Sequence, residues 1–359
     1  MARTINASTD GLVANKASSE ICAACGRPSR CPFCGASLKG KTKIQWTGRT
    51  WNPVVGCSKC SEGCRNCYAM WQGFRCEVMG ISQYQGLTII QGTAPNWTGK
   101  VQLVEHKLEE PLHWRKPQMI FVNSMSDLFH EHLPDADILR VAEIMHRANW
   151  HTFQVLTKRS ERMRDLLNSQ LQFCARDPHI WWGVSVENRK SGLPRIDHLR
   201  SADTAVRFLS IEPLLENIGV LNLDGIHWAI VGGESGHGAR PFDLCWARSI
   251  VSQCRQQGVP CFVKQIGRRP VDGGLPFAHS NPKGGDPQEW PEEIRVREFP
   301  QRIDLQIQNH HSVSERPIGS RKAARSKQDH AFAAKRHDAA LKAWATRRAQ
   351  DSKSRGESD

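Results

Sequence analysis

The chain has 359 residues, 39% of them hydrophobic, and a formal net charge of +13. That apolar content can fill a sizeable core, which excludes a wholly disordered chain, and no run approaches the roughly eighteen apolar residues of a membrane span. The first twenty residues lack the apolar stretch of a secretory leader, so a cytoplasmic protein with no membrane partner is expected, and the basic surplus points to DNA or RNA as a partner.

In chain order, residues 1–20 are small and polar and predict disorder. Residues 21–40 hold "ICAACGRPSRCPFCGASL", which spaces Cys22, Cys25, Cys31 and Cys34 as Cys-x2-Cys-x5-Cys-x2-Cys. Two such turns can close a tetrahedral thiolate site, so a small structural zinc element is expected there. In a reducing compartment, paired thiols point to metal rather than disulfides.

Residues 42–270 carry nearly all the patterned hydrophobic sequence. "KIQWTGRTWNPVVG" reads as a strand and turn, and "CSKCSEGCRNCYA" follows it directly, with Cys57, Cys60, Cys64 and Cys67 inside eleven residues. Strand-like apolar runs then recur in "QMIFVNSMSDLF", "HTFQVLTKR", "HIWWGVSVEN", "AVRFLSIEPLL", "HWAIVGGESG" and "PCFVKQIG". Helical periods lie between several of them, as in "DADILRVAEIMHRAN", "RSERMRDLLNSQL" and "FDLCWARSIVSQCRQQG". Alternating strand and helix predicts βαβ units and a parallel sheet. With strands near 43–56 and 100–105 the count reaches about eight, which suits an α/β fold built as a (β/α) barrel, full or partial; an open doubly wound sheet is the alternative.

Each run ends in polar residues: Ser124, Ser126 and Asp127; Lys158 and Arg159; Ser185, Glu187 and Asn188; Ser210 and Glu212; Glu234 and Ser235; Lys264 and Gln265. In a parallel barrel these positions meet at the C-terminal face, where active sites are built. Charge recurring at the ends of buried runs is costly unless paired, so a shared polar pocket is expected. Gly232 and Gly233 in "VGGESG" predict a close backbone turn at its rim. Beyond 270, residues 271–315 are rich in Gly and Pro and read as loop, and residues 316–359 form a basic tail with helical composition near 322–350. Cys76, Cys174, Cys245, Cys254 and Cys261 are scattered and are expected to be buried apolar side chains.

For the clustered cysteines, spacing leaves two metals open. Cys60, Cys64 and Cys67 form Cys-x3-Cys-x2-Cys, a trio that can hold three irons of a four-iron cluster and leave the fourth for a small ligand. With Cys57 added, four thiolates could instead close around zinc.

The segment "WNPVVGC…GCRNCYA" resembles the radical S-adenosylmethionine (radical SAM) superfamily, in which a loop after the first barrel strand holds such a cluster. Taken with the later runs from about 43 to 267, the chain more narrowly resembles the phage gene product 37 / gene product 68 family, whose activity is undetermined. The resemblance implies a phage-derived, radical-SAM-like barrel with a [4Fe-4S] cluster and S-adenosylmethionine as cofactor. It also implies an electron donor such as a flavodoxin or ferredoxin. The family pattern falls on Cys57, Cys64 and Cys67 and the superfamily triad on Cys60, Cys64 and Cys67; Cys57 is slightly favoured because it follows "WNPVVG" directly. On this reading Ser124, Ser126 and Asp127 contact the ribose or amine of the cofactor. Glu187 and Glu212 accept from its ammonium, and Lys158 and Lys264 meet a carboxylate or phosphate. The competing class is a non-catalytic, zinc-containing nucleic-acid-binding protein or adaptor.

Overall fold

The structure, a computed structural model, describes residues 42 and 44–300, all within the unit Met1–Asp304. The cysteines at 22, 25, 31 and 34, the segment 1–20 and the tail 316–359 lie outside the described residues. Seven parallel strands form one curled sheet: β1 (Arg49–Trp51), β2 (Met119–Val122), β3 (Thr152–Thr157), β4 (Ile180–Ser185), β5 (Val206–Ile211), β6 (Trp228–Gly232) and β7 (Cys261–Gln265). Their order across the sheet is their order along the chain. Helices α2 (Asp135–Arg147), α3 (Ser160–Leu167), α4 (Arg189–Ser201) and α5 (Leu244–Gln256) occupy four of the crossovers; α1 (Tyr68–Val78) belongs to the long insertion after β1.

This is a partial barrel. The strand expected near 100–105 does not join the sheet, because Gln102–Leu103 pairs antiparallel with Val54–Val55 in a separate ribbon. That two-residue run is used to close the insertion bearing the cysteines, so seven strands remain and β1 and β7 stay at opposite edges. A doubly wound sheet is excluded, since such sheets reverse their strand order at a switch point and this one does not.

Alternation along each strand explains why the runs looked uniformly apolar: both faces are covered. One face packs Ile120, Val122, Phe153, Val155, Trp182, Val184, Leu209, Ile211, Ala229, Val231 and Val263 against the helices. The other face carries an aromatic cluster of Trp46, Phe121, Trp181, Phe208, Trp228, Phe262 and Phe299. Trp228 sits at its centre, with ring centroids 5.9 Å from Trp181, 6.1 Å from Phe208 and 5.3 Å from Phe299. Its indole N–H donates to Glu298 O at 2.9 Å. The Trp181 contact is edge-to-face and the other two are tilted, and such ring pairs add to the area term. Gly183 makes room for it, since a Cβ there would run into the Phe208 ring. Further along the same face the strands carry the small residues Ser185, Ser210 and Gly232, which leave the space above the aromatic layer open.

The packing continues past residue 270. Trp290 and Ile294 enter the helix-side core, and residues 296–298 run along the free edge of β7. There Val263 N–H donates to Val296 O at 2.8 Å and Glu298 N–H to Cys261 O at 2.8 Å. The described part of the region read as loop carries two short paired strands, Pro270–Asp272 and Leu275–Pro276, and two 3-10 turns, and it masks a strand edge that would otherwise pair with another chain. Cys76, Cys174, Cys254 and Cys261 are buried, whereas Cys245 is exposed. It lies in the first turn of α5 with its thiol 3.6 Å from Asp272, on the helix face turned away from the Ala247, Ile250 and Cys254 stripe.

Candidate functional site

All seven strands point their C-terminal ends into one cavity of about 1730 Å³. Its wall includes Ser124, Ser126 and Asp127 after β2, Lys158 and Arg159 after β3, Ser185 at the end of β4, Glu212 after β5, Gly233 and Glu234 after β6, and Lys264 and Gln265 in β7. The polar strand ends expected to share a pocket do so except for two: Glu187 is fully buried behind the wall, and Asn188 caps the helix that follows. Gly233 turns tightly at the rim, where an added Cβ would come 2.9 Å from Phe242 Cγ.

The cysteine loop enters beside β1. Gly56 holds φ +88°, and a side chain there would collide with Lys100 O, so the chain can turn past the Gln102 ribbon only as glycine. Cys57, Cys64 and Cys67 line the cavity; Cys60 is exposed and does not. Two anchors hold the loop. The first is Arg159, which donates to Ser58 Oγ at 2.7 Å and approaches Cys57 Sγ at 3.9 Å. The same guanidinium pairs with Asp127 at 3.2 Å and with Glu131. The second is Glu187, against which the backbone of Gly63 packs so closely that a Cβ would strike its side chain. Ser61 Oγ donates to Glu187 at 2.7 Å, Arg195 pairs with it, and Lys158 lies 3.6 Å away.

The thiols sit in unequal fields. Burial, then the Asp127 carboxylate, pushes Cys57 up to about 12. Hydrogen bonding across 3.9 Å with Cys60 holds Cys64 down at about 5 and raises Cys60. Burial raises Cys67. Burial also opposes the Lys158 ammonium, yet Glu187 and the thiolates of Cys64 and Cys67 outweigh it and its pKa is raised. Cationic side chains therefore stand ready on the side where sulfur anions would form.

The expected cofactor contacts are already engaged with protein. Ser124 Oγ donates to Asn52 Oδ1 at 3.0 Å and Ser126 Oγ to Val54 O at 2.9 Å, tying the β1 and β2 loops together. Asp127 accepts from Thr157 Oγ1 at 2.6 Å and from the backbone N–H groups of Phe129 and Lys158, each at 3.0 Å. Lys158 Nζ donates to Ser185 Oγ at 3.0 Å, and Lys264 pairs with Glu212. Four site residues had no role assigned from sequence. Arg159 was visible only as a strand-end cation. Glu234 accepts from Asn66 Nδ2 at 2.9 Å and pairs with Arg240, so the late "GGE" segment reaches back to the cysteine loop. Asn123 adopts φ +59° after β2 and accepts from Val54 N–H at 3.2 Å. Arg195 sits inside α4, eight positions after Glu187, where sequence offers no signal.

Tetrahedral zinc thiolates need sulfurs about 3.8 Å apart. Cys60 and Cys64 lie 3.9 Å apart, and no three of the four sulfurs lie within 4.8 Å of one another. A family model described as a protein of unknown function (DUF5131) matches residues 41–340. No curated protein and no solved structure matches the chain. Among the described residues no helix is long and apolar enough to cross a membrane.

Proposed function

The chain belongs to the DUF5131 family of unknown function; from the geometry of its cavity we propose that it houses radical chemistry begun on an iron–sulfur cluster and S-adenosylmethionine. The observation that carries the reading is the placement of Cys57, Cys64 and Cys67 on the cavity wall, at the C-terminal ends of a parallel partial barrel, with Cys60 outside it. When bound, such a cluster supplies one electron at a vacant iron, which is the chemistry that cleaves a sulfonium nucleoside. The three thiolates hold the group. Arg159 and Lys158 offset their charge, and the Ser58 and Ser61 hydroxyls fix the loop against the sheet. The paired strand-end charges, Glu212 with Lys264 and Glu187 with Lys158, can each exchange one partner for the amine or carboxylate of the cofactor's methionine end. The aromatic layer below closes the floor and keeps water from that side.

Anaerobic purification followed by iron, sulfide and zinc assays tests this. About four irons per cavity and 5′-deoxyadenosine formed with dithionite and S-adenosylmethionine are the expected outcome. Zinc bound by the Cys57–Cys67 loop in place of iron would overturn it and leave the non-catalytic nucleic-acid-binding reading. A loaded cluster that cleaves nothing would leave the adaptor.

A further inference from the structure

Among the described charged groups on the cavity wall, the three carboxylates are all neutralised: Asp127 by Arg159, Glu212 by Lys264 and Glu234 by Arg240. Seven lysines and arginines line the same wall. Four of them, Lys59, Arg65, Arg75 and Lys283, are exposed and have no side-chain partner among the described residues. Helix α1 adds a second feature. Ala69, Met70, Gly73 and Cys76 are its buried positions, while Tyr68, Trp71 and Arg75, at i, i+3 and i+7, share one stripe of the cavity mouth. Trp71 is 46% exposed and Tyr68 58%, the latter held by a 3.0 Å hydrogen bond from its hydroxyl to Ser124 O. Exposed apolar surface gathered at a cavity mouth marks a ligand site more than single exposed side chains such as Trp150 or Phe173 do. Cations with free valence next to exposed aromatic rings are the pairing that grips a phosphodiester backbone and stacks its bases.

We propose that the cavity mouth binds an unpaired stretch of polynucleotide, with a base stacked on Trp71 and phosphates met by Lys59, Arg65, Arg75 and Lys283. This rests on the cavity being the reaction site and names its substrate class. A duplex is disfavoured because its bases are stacked inward, and a group reacting deep in a cavity must receive an extruded or single-stranded nucleotide. An acidic protein would satisfy the charges but would leave the ring at position 71 without purpose.

Fluorescence anisotropy on the full chain, with labelled single-stranded DNA, single-stranded RNA and duplex of one sequence, tests the proposal. Because the basic tail is present in every variant, its contribution cancels. Trp71→Ala is expected to weaken single-strand binding about ten-fold or more. Arg75→Gln should lower the slope of log affinity against log salt by about 0.7. Lys116→Gln, at the opposite end of the sheet, should change neither. Single-strand preference in DNA or in RNA supports the proposal and identifies the sugar. Unchanged affinity in Trp71→Ala, or equal competition by polyglutamate of matched charge, overturns it. Iron content and cofactor cleavage measured on the same variants keep the two readings apart. A loaded, cleaving protein whose single-strand affinity ignores position 71 refutes only the polynucleotide; an iron-free protein that still binds through Trp71 refutes only the cluster.

Discussion

Removing Glu187 should damage the protein more than removing the arginine that faces it. The Glu187 side chain is 0% exposed and that of Arg195 8% exposed, so the pair sits in a region of low dielectric. Breaking a buried pair costs about 3–5 kcal/mol, chiefly because one charge is left without compensation. The two deletions leave different remnants. In Glu187→Ala, Arg195 retains only the carbonyl of Ser185 at 2.9 Å and has little access to water, so a penalty of about 3–5 kcal/mol is expected. In Arg195→Met, Glu187 keeps the Ser61 hydroxyl at 2.7 Å and Lys158 at 3.6 Å, whose side chain is 22% exposed and free to adjust. A loss of about 1–3 kcal/mol follows, near the cost of a lost charged hydrogen bond. The double variant Glu187→Ala with Arg195→Met should be less destabilised than the sum of the single changes by about 2 kcal/mol. Urea unfolding of the metal-free protein, with the slope checked for constancy, measures all three. Equal costs, the reverse order, or strict additivity would refute the account of which charge is trapped. Glu187→Ala should also lose iron after anaerobic purification, since Ser61 and Gly63 lose their anchor, and Arg195→Met should retain it.

Serine at Cys57, Cys64 or Cys67 is expected to abolish iron retention while Cys60→Ser keeps most of it; iron lost from Cys60→Ser and kept by Cys57→Ser would assign the third ligand to Cys60. Trp228→Ala should cost about 3–5 kcal/mol, because the void opens at the centre of the aromatic layer, and a urea midpoint close to wild type would show that layer to be loosely packed. Burial lowers the pKa of His130, to about 4, and of His151, His179 and His227. The unfolded chain takes up protons that these folded imidazoles refuse. Stability is therefore full above about pH 6.5 and falls as the pH drops towards 4, with His130 contributing at most about 3 kcal/mol. Urea midpoints at pH 7.5 and 5 check this, and a flat profile would contradict it.

Much of the sheet was legible because strands covered on both faces must be apolar along their length; "HIWWGVSVEN" could hardly be anything but an interior strand, and β4 is buried at every position. Closure was not legible. Whether a short run such as "VQL" completes a barrel depends on what it meets in space, and here it met Val54 and Val55. The strand-end charges converged as their positions in a parallel sheet require. Their partners did not follow from pattern, since Arg195 and Arg159 act through loop and helix geometry that no spacing encodes. Cys245 was misjudged because a thiol in an apolar stretch usually faces inward, and only the phase of α5 turns it outward.

One feature of the sheet bears on how the protein is made. Since every strand lies beside the one synthesised just before it, the nascent chain can add strands one at a time, with no gap held open for a later insertion. The edge of β7 is left uncovered until residues 296–298 emerge about thirty positions later and lie along it. A chain stopped at residue 286 would present that edge bare, and sedimentation should find it self-associated where the full chain is not.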